Sequence, residues 1–325
     1  MATRILVLGG SGFVGRHLME RLQRLDHLGV TVTVPTRRIA SARELWTLTS
    51  VQAVEADVMQ DGVLEQLLPG HDAVVNLVGR LHGKHAEFDA LHVQLPRRLA
   101  AACAASGVKR LIHVSALAAA GSAPSHYLRS KAAGEQVLLQ AAQLHQLQLT
   151  LLRPGIVFGP GGGFLNLFAS VQRMLPVVPL AHGSARFQPV FVRDVALAIV
   201  RCLQDKSTAG QTYELCGPDV WTLRELMRAA GQWAGIRRGR GRPVWPIPAT
   251  LGRVQAWLLE RMPGTPMLSR DNLDSMKLPS VASGRLPGLQ ELGVTPTPLA
   301  AAGPISLGRK GFVGRLDSYR SEARR

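Results

Sequence analysis

The chain has 325 residues, 46% of them hydrophobic and 18% charged, which is the composition of a globular protein and not of a disordered one. This length is enough to bury a sizeable core and favours one main domain with a smaller lobe. Charged residues and prolines interrupt every apolar run before it could cross a bilayer. A strand pattern begins within four residues of the N-terminus, which leaves no room for a signal peptide. We therefore expect a cytoplasmic protein, or one held peripherally on the inner face of a membrane.

The formal net charge of +16 comes mostly from arginine, because only six of the 38 basic residues are lysines. The densest run, at 237–242, reads Arg-Arg-Gly-Arg-Gly-Arg and has no interleaved aromatic residues to stack on bases. Nucleic acid is therefore an unlikely partner by composition. A solvated Arg-rich face, or one that contacts a partner protein or a membrane surface, remains open.

The first 155 residues alternate short β-branched runs with longer helical ones. Strands are predicted at 4–9, 30–34, 51–56, 73–78, 110–115 and 148–153, and helices at 12–25, 88–105 and 126–145. Such alternation implies parallel strands joined by right-handed crossovers, which is the α/β doubly wound sheet, or Rossmann fold.

A glycine-rich turn follows the first predicted strand and opens the first helix. It reads Gly9-Gly10-Ser11-Gly12-Phe13-Val14-Gly15. Glycine permits the tight turn and the close approach of backbone to a pyrophosphate, which the helix N-terminus then attracts. The turn predicts a dinucleotide site. The same spacing at Gly308, Gly311 and Gly314 follows no strand pattern, and we interpret it as a chance repeat.

Arg37 and Arg38 follow the second strand, where dinucleotide-binding proteins often carry a carboxylate for the adenosine ribose. Arginine at this position suits a 2′-phosphate, so NADP(H) is favoured over NAD(H), although both side chains could simply be solvated. Asp57, after the third strand, either accepts a hydrogen bond from the adenine amine or caps a helix.

Tyr127 and Lys131 are four residues apart in a predicted helix, so both project from one face. A nearby ammonium favours phenolate over phenol, which makes Tyr127 a candidate proton donor and acceptor. The alternative is an unremarkable surface pair. The three cysteines are far apart in apolar segments and are predicted to be buried free thiols. His82, His85 and His92 lack the usual metal-site geometry, so no metal is predicted.

The chain beyond residue 158 has a looser pattern. We predict a loop at 159–163, helices at 164–174, 194–203 and 249–262, a short strand at 187–192, and a strand near 211–217 that completes the sheet. The resulting division is a Rossmann domain at 1–158 and a C-terminal substrate lobe at 159–325, with a loosely held tail from about 285. The 249–262 helix, which carries Trp257, is assigned to core packing, with interfacial membrane contact as the alternative.

These residues together resemble the extended and atypical branches of the short-chain dehydrogenase/reductase superfamily. The resemblance covers residues 1–220, and its most similar branch is the bacterial relatives of the nucleotide-binding accessory subunit of respiratory complex I. The superfamily motifs are Gly9/Gly12/Gly15, Asp57, 76–79 (Asn-Leu-Val-Gly), Ser115, Tyr127/Lys131, 153–160 (Arg-Pro-Gly-Ile-Val-Phe-Gly-Pro) and 187–196. The similarity to the complex I branch rests on 114–117, 127–131, 185–190 and 271–273.

The resemblance implies site roles. Tyr127 would be the acid/base, Lys131 would hold the nicotinamide ribose and lower the pKa of Tyr127, and Ser115 would hydrogen-bond the reacting oxygen. The implied cofactor contacts are Gly9, Ser11, Gly12, Phe13, Val14, Gly15, Arg37, Arg38, Asp57, Val58, Asn76, Leu77, Val78, Gly79, Tyr127, Lys131, Pro154, Gly155 and Val157.

Two positions depart from the family pattern. Ser115 is followed by Ala116 and Leu117 where many relatives have further Ser or Thr, and His92 stands where a helical Asn is common. The sequence therefore leaves three functions open. They are an NADP(H)-dependent oxidoreductase or epimerase-like enzyme for an unidentified substrate, a non-catalytic NADPH-binding subunit of a respiratory complex, and a redox-sensing regulator.

Overall fold

The computed structural model describes residues 3–262, 264 and 266–307. The chain forms two compact units. Within the described residues, the first unit comprises 3–154, Arg193–Leu215 and Ser283–Thr295, and the second comprises Gly155–Val192, Cys216–Ala282 and 296–307. The repeated glycine spacing at 308–314 lies outside the described residues.

The first unit is built on a seven-stranded parallel sheet. Its strands are β1 (Thr3–Leu8), β2 (Val30–Thr36), β3 (Val51–Glu55), β4 (Ala73–Asn76), β5 (Arg110–Val114), β6 (Gln148–Pro154) and an edge strand after residue 211. Its helices are α1 (Phe13–Gln23), α2 (Val63–Leu67), α3 (His85–Asp89), α4 (Leu95–Ser106), α5 (His126–His145) and a further helix after residue 191. A π-helical turn, Ala90–Gln94, joins α3 to α4, so the predicted 88–105 helix is longer and interrupted.

The second unit contains small sheets and the remaining helices. In chain order come β7 (Val157–Gly159), β8 (Gly162–Gly163), α6 (Phe164–Met174), β9 (Val178–Leu180), β10 (Arg186–Phe187) and β11 (Val190–Phe191). Next are the first unit's helix α7 (Val192–Gln204) and edge strand β12 (Thr212–Leu215). The second unit continues with β13 (Trp221–Thr222), α8 (Leu223–Trp233), β14 (Val244–Pro246), α9 (Ala249–Glu260), α10 (Arg270–Ser275) and α11 (Leu299–Leu307).

The strand order is β3-β2-β1-β4-β5-β6-β12. The chain first adds strands on one side of β1 and then, from β4 onward, on the other side, so the order of addition reverses between β1 and β4. All neighbouring pairs in this sheet are parallel, which confirms the predicted doubly wound fold. The central strands are buried on both faces, as expected when helices cover a parallel sheet. In such sheets ligands bind beyond the carboxyl ends of the strands at the reversal point. That point is where β1 runs into the glycine turn.

Three regions of the C-terminal half differ from the sequence predictions. The predicted strand at 187–192 is two short strands, β10 and β11, which pair with β13 and β7 respectively. The predicted loop at 159–163 contains an antiparallel pair, because β7 and β8 join through Phe158–Gly163 and Gly159–Gly162. The predicted loose tail is packed as far as residue 307. In the first unit, Glu214 Oε2 accepts hydrogen bonds from the backbone N–H and hydroxyl of Ser283, and in the second unit α11 packs against α6 and α8.

The cysteines Cys103, Cys202 and Cys216 are buried and, among the described residues, form no disulfide, as predicted. Within the described ranges, no cluster of His, Cys, Asp or Glu has the arrangement of a metal site. In the same part of the chain, no helix is both long enough and apolar enough to cross a membrane.

Arg110, the first residue of β5, links β5 and β6 to α7. It is buried, and its guanidinium donates to the carbonyl oxygens of Gln148 and Cys202 and to the hydroxyls of Thr150 and Thr208. We expect Arg110→Met to lower the free energy of unfolding by about 3 kcal/mol, because several charge-assisted bonds disappear and buried acceptors lose their donor. Urea denaturation measures this loss. The exposed neighbour Lys109 is the matched control, and an equal effect of Lys109→Met would contradict the assignment.

Candidate functional site

The glycine-rich turn holds its shape through backbone positions that exclude side chains. Gly9 has a φ of +79°, which favours glycine. A Cβ on Gly15 would overlap the backbone of Gly10, and one on Gly10 would lie 2.8 Å from the methyl groups of Val34. The turn therefore packs directly on α1 and on β2, the close approach that the sequence pattern predicts.

The backbone N–H groups at the N-terminus of α1 are not capped by a side chain of the N-cap residue, Gly12, and can bind a ligand. Helix α1 begins at Phe13 after the N-cap residue Gly12, and no side chain caps it. The N–H of Gly12 donates to the carbonyl of Gly9 at 3.0 Å, which fixes the turn. The backbone N–H groups of the first helical turn and the helix dipole together form an anion site. Contact of Ser11, Phe13 and Val14 with a pyrophosphate stays a prediction.

Arg37 and Arg38 are exposed at the end of β2, and β2 packs beside the turn through Val34. In the described part of the chain neither guanidinium has an ion pair or hydrogen bond. The backbone around them is fixed, because Ser41 Oγ donates to the carbonyl of Arg38 at 2.7 Å. Both cations are therefore available to an anionic group.

Asp57 caps a turn that precedes α2, and not a helix, which was the alternative role predicted for it, because α2 begins only at Val63. Its Oδ1 accepts a hydrogen bond from the N–H of Met59 at 3.0 Å, and Val58 packs partly against the core. The side chain remains partly exposed, so contact with an adenine amine stays a prediction.

The segment after β4 adjoins the glycine turn. Asn76 is fully buried, and its Oδ1 accepts from the N–H of Val78 at 3.1 Å. Its Nδ2 faces Nδ1 of His113 at 3.1 Å. A Cβ on Gly9 would lie 3.2 Å from the backbone of Leu77, so this segment and the turn form one surface.

Tyr127 lies in the first turn of α5, which Ser125 caps by accepting the N–H of Leu128. The phenol ring contacts His92 edge-on, with ring centroids 5.6 Å apart, and lies 6.2 Å from the ring of Phe88. Burial raises the pKa of Tyr127 to about 12. The expectation that Lys131 lowers this pKa is therefore wrong in the structure, because desolvation of the phenolate dominates.

Lys131 is the buried cation of the site, with 4% of its surface exposed. Among the described residues its Nζ donates a hydrogen bond to the carbonyl of Val114 at 3.2 Å. Burial lowers its pKa to about 8, an effect that the charge of Glu135 partly opposes. A Cβ on Gly79 would lie 3.0 Å from this ammonium, so α5 brings Lys131 against the segment after β4.

His92 lies in the π-helical turn and joins this segment to α5. Its Nε2 accepts from the N–H of Arg80 at 3.2 Å, so the proton lies on Nδ1, which donates to Ser130 Oγ at 2.8 Å. Burial and the charge of Lys131 lower the pKa of His92 to about 3. The imidazole is therefore neutral at pH 7. Gly134 allows the packing, since a Cβ there would overlap the carbonyl oxygen of His92.

Ser115 follows β5 with its backbone fixed, because its N–H donates to the carbonyl of Leu152 at 2.8 Å. Its hydroxyl is buried, and in the described residues it has no hydrogen-bond partner. A buried orphan hydroxyl is costly unless a ligand satisfies it. This observation fits the predicted contact with a reacting oxygen.

Two features of this region escaped the sequence analysis. His113 precedes Ser115 on the same face of β5, and its Nε2 has no partner within the described ranges. Burial, Lys131 and His92 keep the pKa of His113 well below its ordinary value. Glu135, one helical turn beyond Lys131, forms a bidentate ion pair with Arg153. The alternation along β5 and the Lys131–Glu135 spacing are the signals that could have indicated them.

Pro154, Gly155 and Val157 follow in the chain. The carbonyl of Pro154 accepts from the N–H of Leu117 at 2.9 Å in the first unit. In the second unit, a Cβ on Gly155 would overlap the carbonyl of Gln188, and Val157 pairs with Val190 in parallel. Their contact with a cofactor stays a prediction.

Comparison with known proteins identifies the family of this chain. The sequence profile of the NAD dependent epimerase/dehydratase family matches residues 5–216, which is more than half of the chain. The chain belongs to the NAD dependent epimerase/dehydratase family. This confirms the resemblance to extended short-chain dehydrogenases.

Within this family, curated relatives include a respiratory-chain subunit and a reductase. The mitochondrial NADH dehydrogenase [ubiquinone] 1 alpha subcomplex subunit 9 of Mus musculus is 32% identical over 303 residues, covering 90% of this chain and 76% of that protein. The ceramide reductase of Caulobacter vibrioides is 29% identical over 256 residues, covering 78% of each. The predicted similarity to complex I accessory subunits is confirmed.

Solved structures of other proteins share the fold. The dTDP-glucose 4,6-dehydratase of Streptomyces venezuelae superposes with a TM-score of 0.72 at 21% identity, covering 94% of this chain and 96% of that one. The UDP-glucose 4-epimerase of Thermotoga maritima gives 0.70 at 18% identity, covering 97% and 100%. Family membership and the glycine turn together support a nucleotide cofactor of the NAD type.

Proposed function

We propose that this protein binds NADP(H) in its first unit and reduces a carbonyl group, or oxidises the corresponding alcohol, on a substrate of carbonyl/alcohol or sugar-nucleotide-like chemistry. When bound, the nicotinamide supplies or accepts the hydride. Tyr127 moves the proton at the substrate oxygen, Ser115 hydrogen-bonds that oxygen, and Lys131 holds the ribose. The pKa of about 12 keeps the Tyr127 phenol protonated at pH 7, which favours its action as a proton donor to a carbonyl.

The observation that carries this proposal is the buried ammonium of Lys131. A buried lysine without a directly bonded carboxylate is expensive, and the structure gives this one only the Val114 carbonyl among the described residues. Lysine has three N–H donors, so the ribose hydroxyls of a cofactor would satisfy the remaining ones. The buried hydroxyl of Ser115, which has no hydrogen-bond partner among the described residues, supports the same proposal of a bound cofactor and substrate.

The exposed arginines after β2 support NADP(H) over NAD(H). We expect Arg37→Ser/Arg38→Ser to raise the Kd for NADPH by about 10- to 100-fold, because two cations facing the 2′-phosphate are lost. The Kd for NADH should change by less than about twofold, since that nucleotide has no 2′-phosphate. Quenching of intrinsic fluorescence measures both constants, and the exposed Arg24→Ser is the control. Parallel weakening of both nucleotides would contradict the assignment.

The catalytic role is tested by Tyr127→Phe. We expect kcat for oxidation of NADPH with a reactive carbonyl from a compound panel to fall by about 10²- to 10⁴-fold, because the positioned proton donor is removed. The Kd for NADPH should stay within a few-fold of wild type, since Lys131 remains. Tyr213→Phe removes the hydroxyl of a buried tyrosine in β12 of the first unit and should leave kcat unchanged. Equal kcat values for wild type and Tyr127→Phe would refute the acid/base role.

The second candidate is a non-catalytic NADPH-binding accessory or assembly subunit of respiratory complex I. The 32% identity to the mouse subunit over 90% of this chain supports it, as do the replacements at Ala116 and His92. Affinity purification from its own cells at low ionic strength, with mass spectrometry of co-purified subunits, tests it. Stoichiometric recovery of NADH:quinone oxidoreductase subunits together with no turnover would favour this candidate. Recovery of the chain alone, with turnover, would favour the enzyme.

A further inference from the structure

The second unit contains an apolar cavity of about 450 Å³ between α6, β9, α8, α9 and α10. Small-molecule sites commonly enclose about 300–1,000 Å³, so its size suits a ligand. Of the 18 described residues that line it, only Gln255 has a polar side chain. Four are methionines (174, 227, 267 and 276), whose flexible side chains adapt to different shapes.

This lining selects for hydrocarbon. A sugar or a nucleotide base would lose its hydrogen bonds with water here and find almost no donors or acceptors in exchange. The cavity is accessible at its rim, where Met174 and Val177 are 69% and 43% exposed. A hydrocarbon chain that enters past this rim gains the free energy of removing apolar surface from water.

Helix α9 forms one wall of the cavity and presents a second apolar face to solvent. Gln255 and Leu259 line the cavity, and Gly252 and Ala256 are buried. Five large apolar side chains of α9 and its C-terminal extension are exposed: Leu251, Val254, Trp257, Leu258 and Met262. Core packing, predicted for Trp257 and its neighbours, therefore applies only to the inner side of this helix. A helix with a tryptophan and leucines on its outer face is typical of an interfacial membrane helix.

Arginine side chains lie beside the outer face of α9. The Arg261 guanidinium lies 3.7 Å above the Trp257 ring, and the exposed Arg253 is on the same helix. Arg237, Arg238 and Arg240 are also exposed in the second unit. Arginines beside an interfacial apolar face complement the headgroups of anionic lipids.

We infer that the cavity of the second unit binds the hydrocarbon chain of an anionic membrane phospholipid, which enters from a bilayer on which the outer face of α9 rests. The cavity encloses the hydrocarbon chain, and Arg261 and Arg253, which lie beside the outer face of α9, contact the headgroup. The proposed cofactor chemistry is not required for this binding, so either proposal can fail without the other.

The test is lipid uptake from vesicles. The full chain is incubated with phosphatidylglycerol or phosphatidylcholine vesicles and separated from them, and the lipid that it retains is extracted and quantified. We expect wild type to retain about one phosphatidylglycerol per chain, and on the order of tenfold less phosphatidylcholine, because the arginines find no net anionic charge. Val171→Trp fills the cavity and Leu259→Glu places a charge in it. Each should reduce retention on the order of tenfold.

The outer face of α9 has its own variant and control. Leu251→Glu/Val254→Glu should slow the uptake on the order of tenfold, because it weakens contact with the bilayer. Leu28→Glu/Leu144→Glu alters two comparably exposed leucines of the first unit and should leave uptake unchanged. No retained lipid with wild type, equal retention by the cavity variants, or equal uptake of the two phospholipids would each overturn the inference. Thermal unfolding of every variant shows that it is folded.

Discussion

Lys131→Met should raise the free energy of unfolding of the protein at pH 7 by about 2 kcal/mol while weakening its binding of NADPH. Burial lowers the pKa of Lys131 from its ordinary 10.5 to about 8, so keeping it charged in the folded state costs about 3 kcal/mol. Methionine fills a similar volume without that cost. The hydrogen bond to Val114 is lost, which reduces the gain by about 1 kcal/mol.

The effect of Lys131→Met should depend on pH in one direction. Below pH 8 the folded protein keeps the proton on Lys131 and carries the full cost. Between pH 8 and 10.5 the folded protein releases this proton while the unfolded chain still binds it, so wild-type stability rises with pH. The advantage of the Lys131→Met variant should therefore shrink across this window. Urea denaturation of both proteins at several pH values measures the difference.

Nucleotide binding provides the second readout for Lys131→Met. The Kd for NADPH should increase by about 10-fold or more, because the ammonium no longer donates to the ribose. Lys109→Met removes an exposed lysine and should leave both stability and Kd unchanged. A variant that is less stable than wild type at pH 7, or that binds NADPH normally, would contradict the role given to the buried ammonium.

Glu135→Gln should have the opposite effect on stability. Its carboxylate is 2% exposed and forms a bidentate ion pair with Arg153, whose side chain remains 25% exposed. Replacing the carboxylate by an amide leaves Arg153 without its anion, and we expect a loss of about 3 kcal/mol in the free energy of unfolding. The pKa of Lys131 should fall further, because the charge of Glu135 raises it.

A double-mutant cycle separates these two effects. In the Lys131→Met background, Glu135→Gln should lower the free energy of unfolding by about 1 kcal/mol less than it does in wild type. The difference is the attraction between the charges of Lys131 and Glu135, which the Lys131→Met variant has already lost. The exposed Glu65→Gln serves as the control for the chemistry of the substitution. Equal costs in both backgrounds would show that Glu135 and Lys131 are not coupled.

Local patterns predicted the sheet and the outline of the site. The β-branched runs and the Gly9–Gly15 turn depend on residues close in sequence, so periodicity and turn chemistry were sufficient for them. The α5 helix, His126–His145, was predicted with its observed bounds because its Ser125 cap and its apolar spacing agree.

Other features depend on contacts that the sequence does not display. The Asn76–His113 and Glu135–Arg153 pairs require the register of β4 against β5 and the packing of α5 on β6. The direction of the Tyr127 pKa was wrongly predicted because it results from competition between a neighbouring charge and burial, and only the fold fixes the burial. The packed segment up to residue 307 was missed because its contacts are with distant residues such as Glu214.

The most direct test of the central claim is the transfer of deuterium from NADPH labelled at nicotinamide C4. The protein, loaded with this nucleotide, is mixed with a panel of carbonyl compounds, and the products are examined by mass spectrometry. Our account predicts label on the carbon of a new alcohol with wild type, and a rate lower by about 10²- to 10⁴-fold with Tyr127→Phe. Tightly bound NADPH that keeps its label against every compound, equally in both proteins, would contradict it and favour the accessory-subunit role.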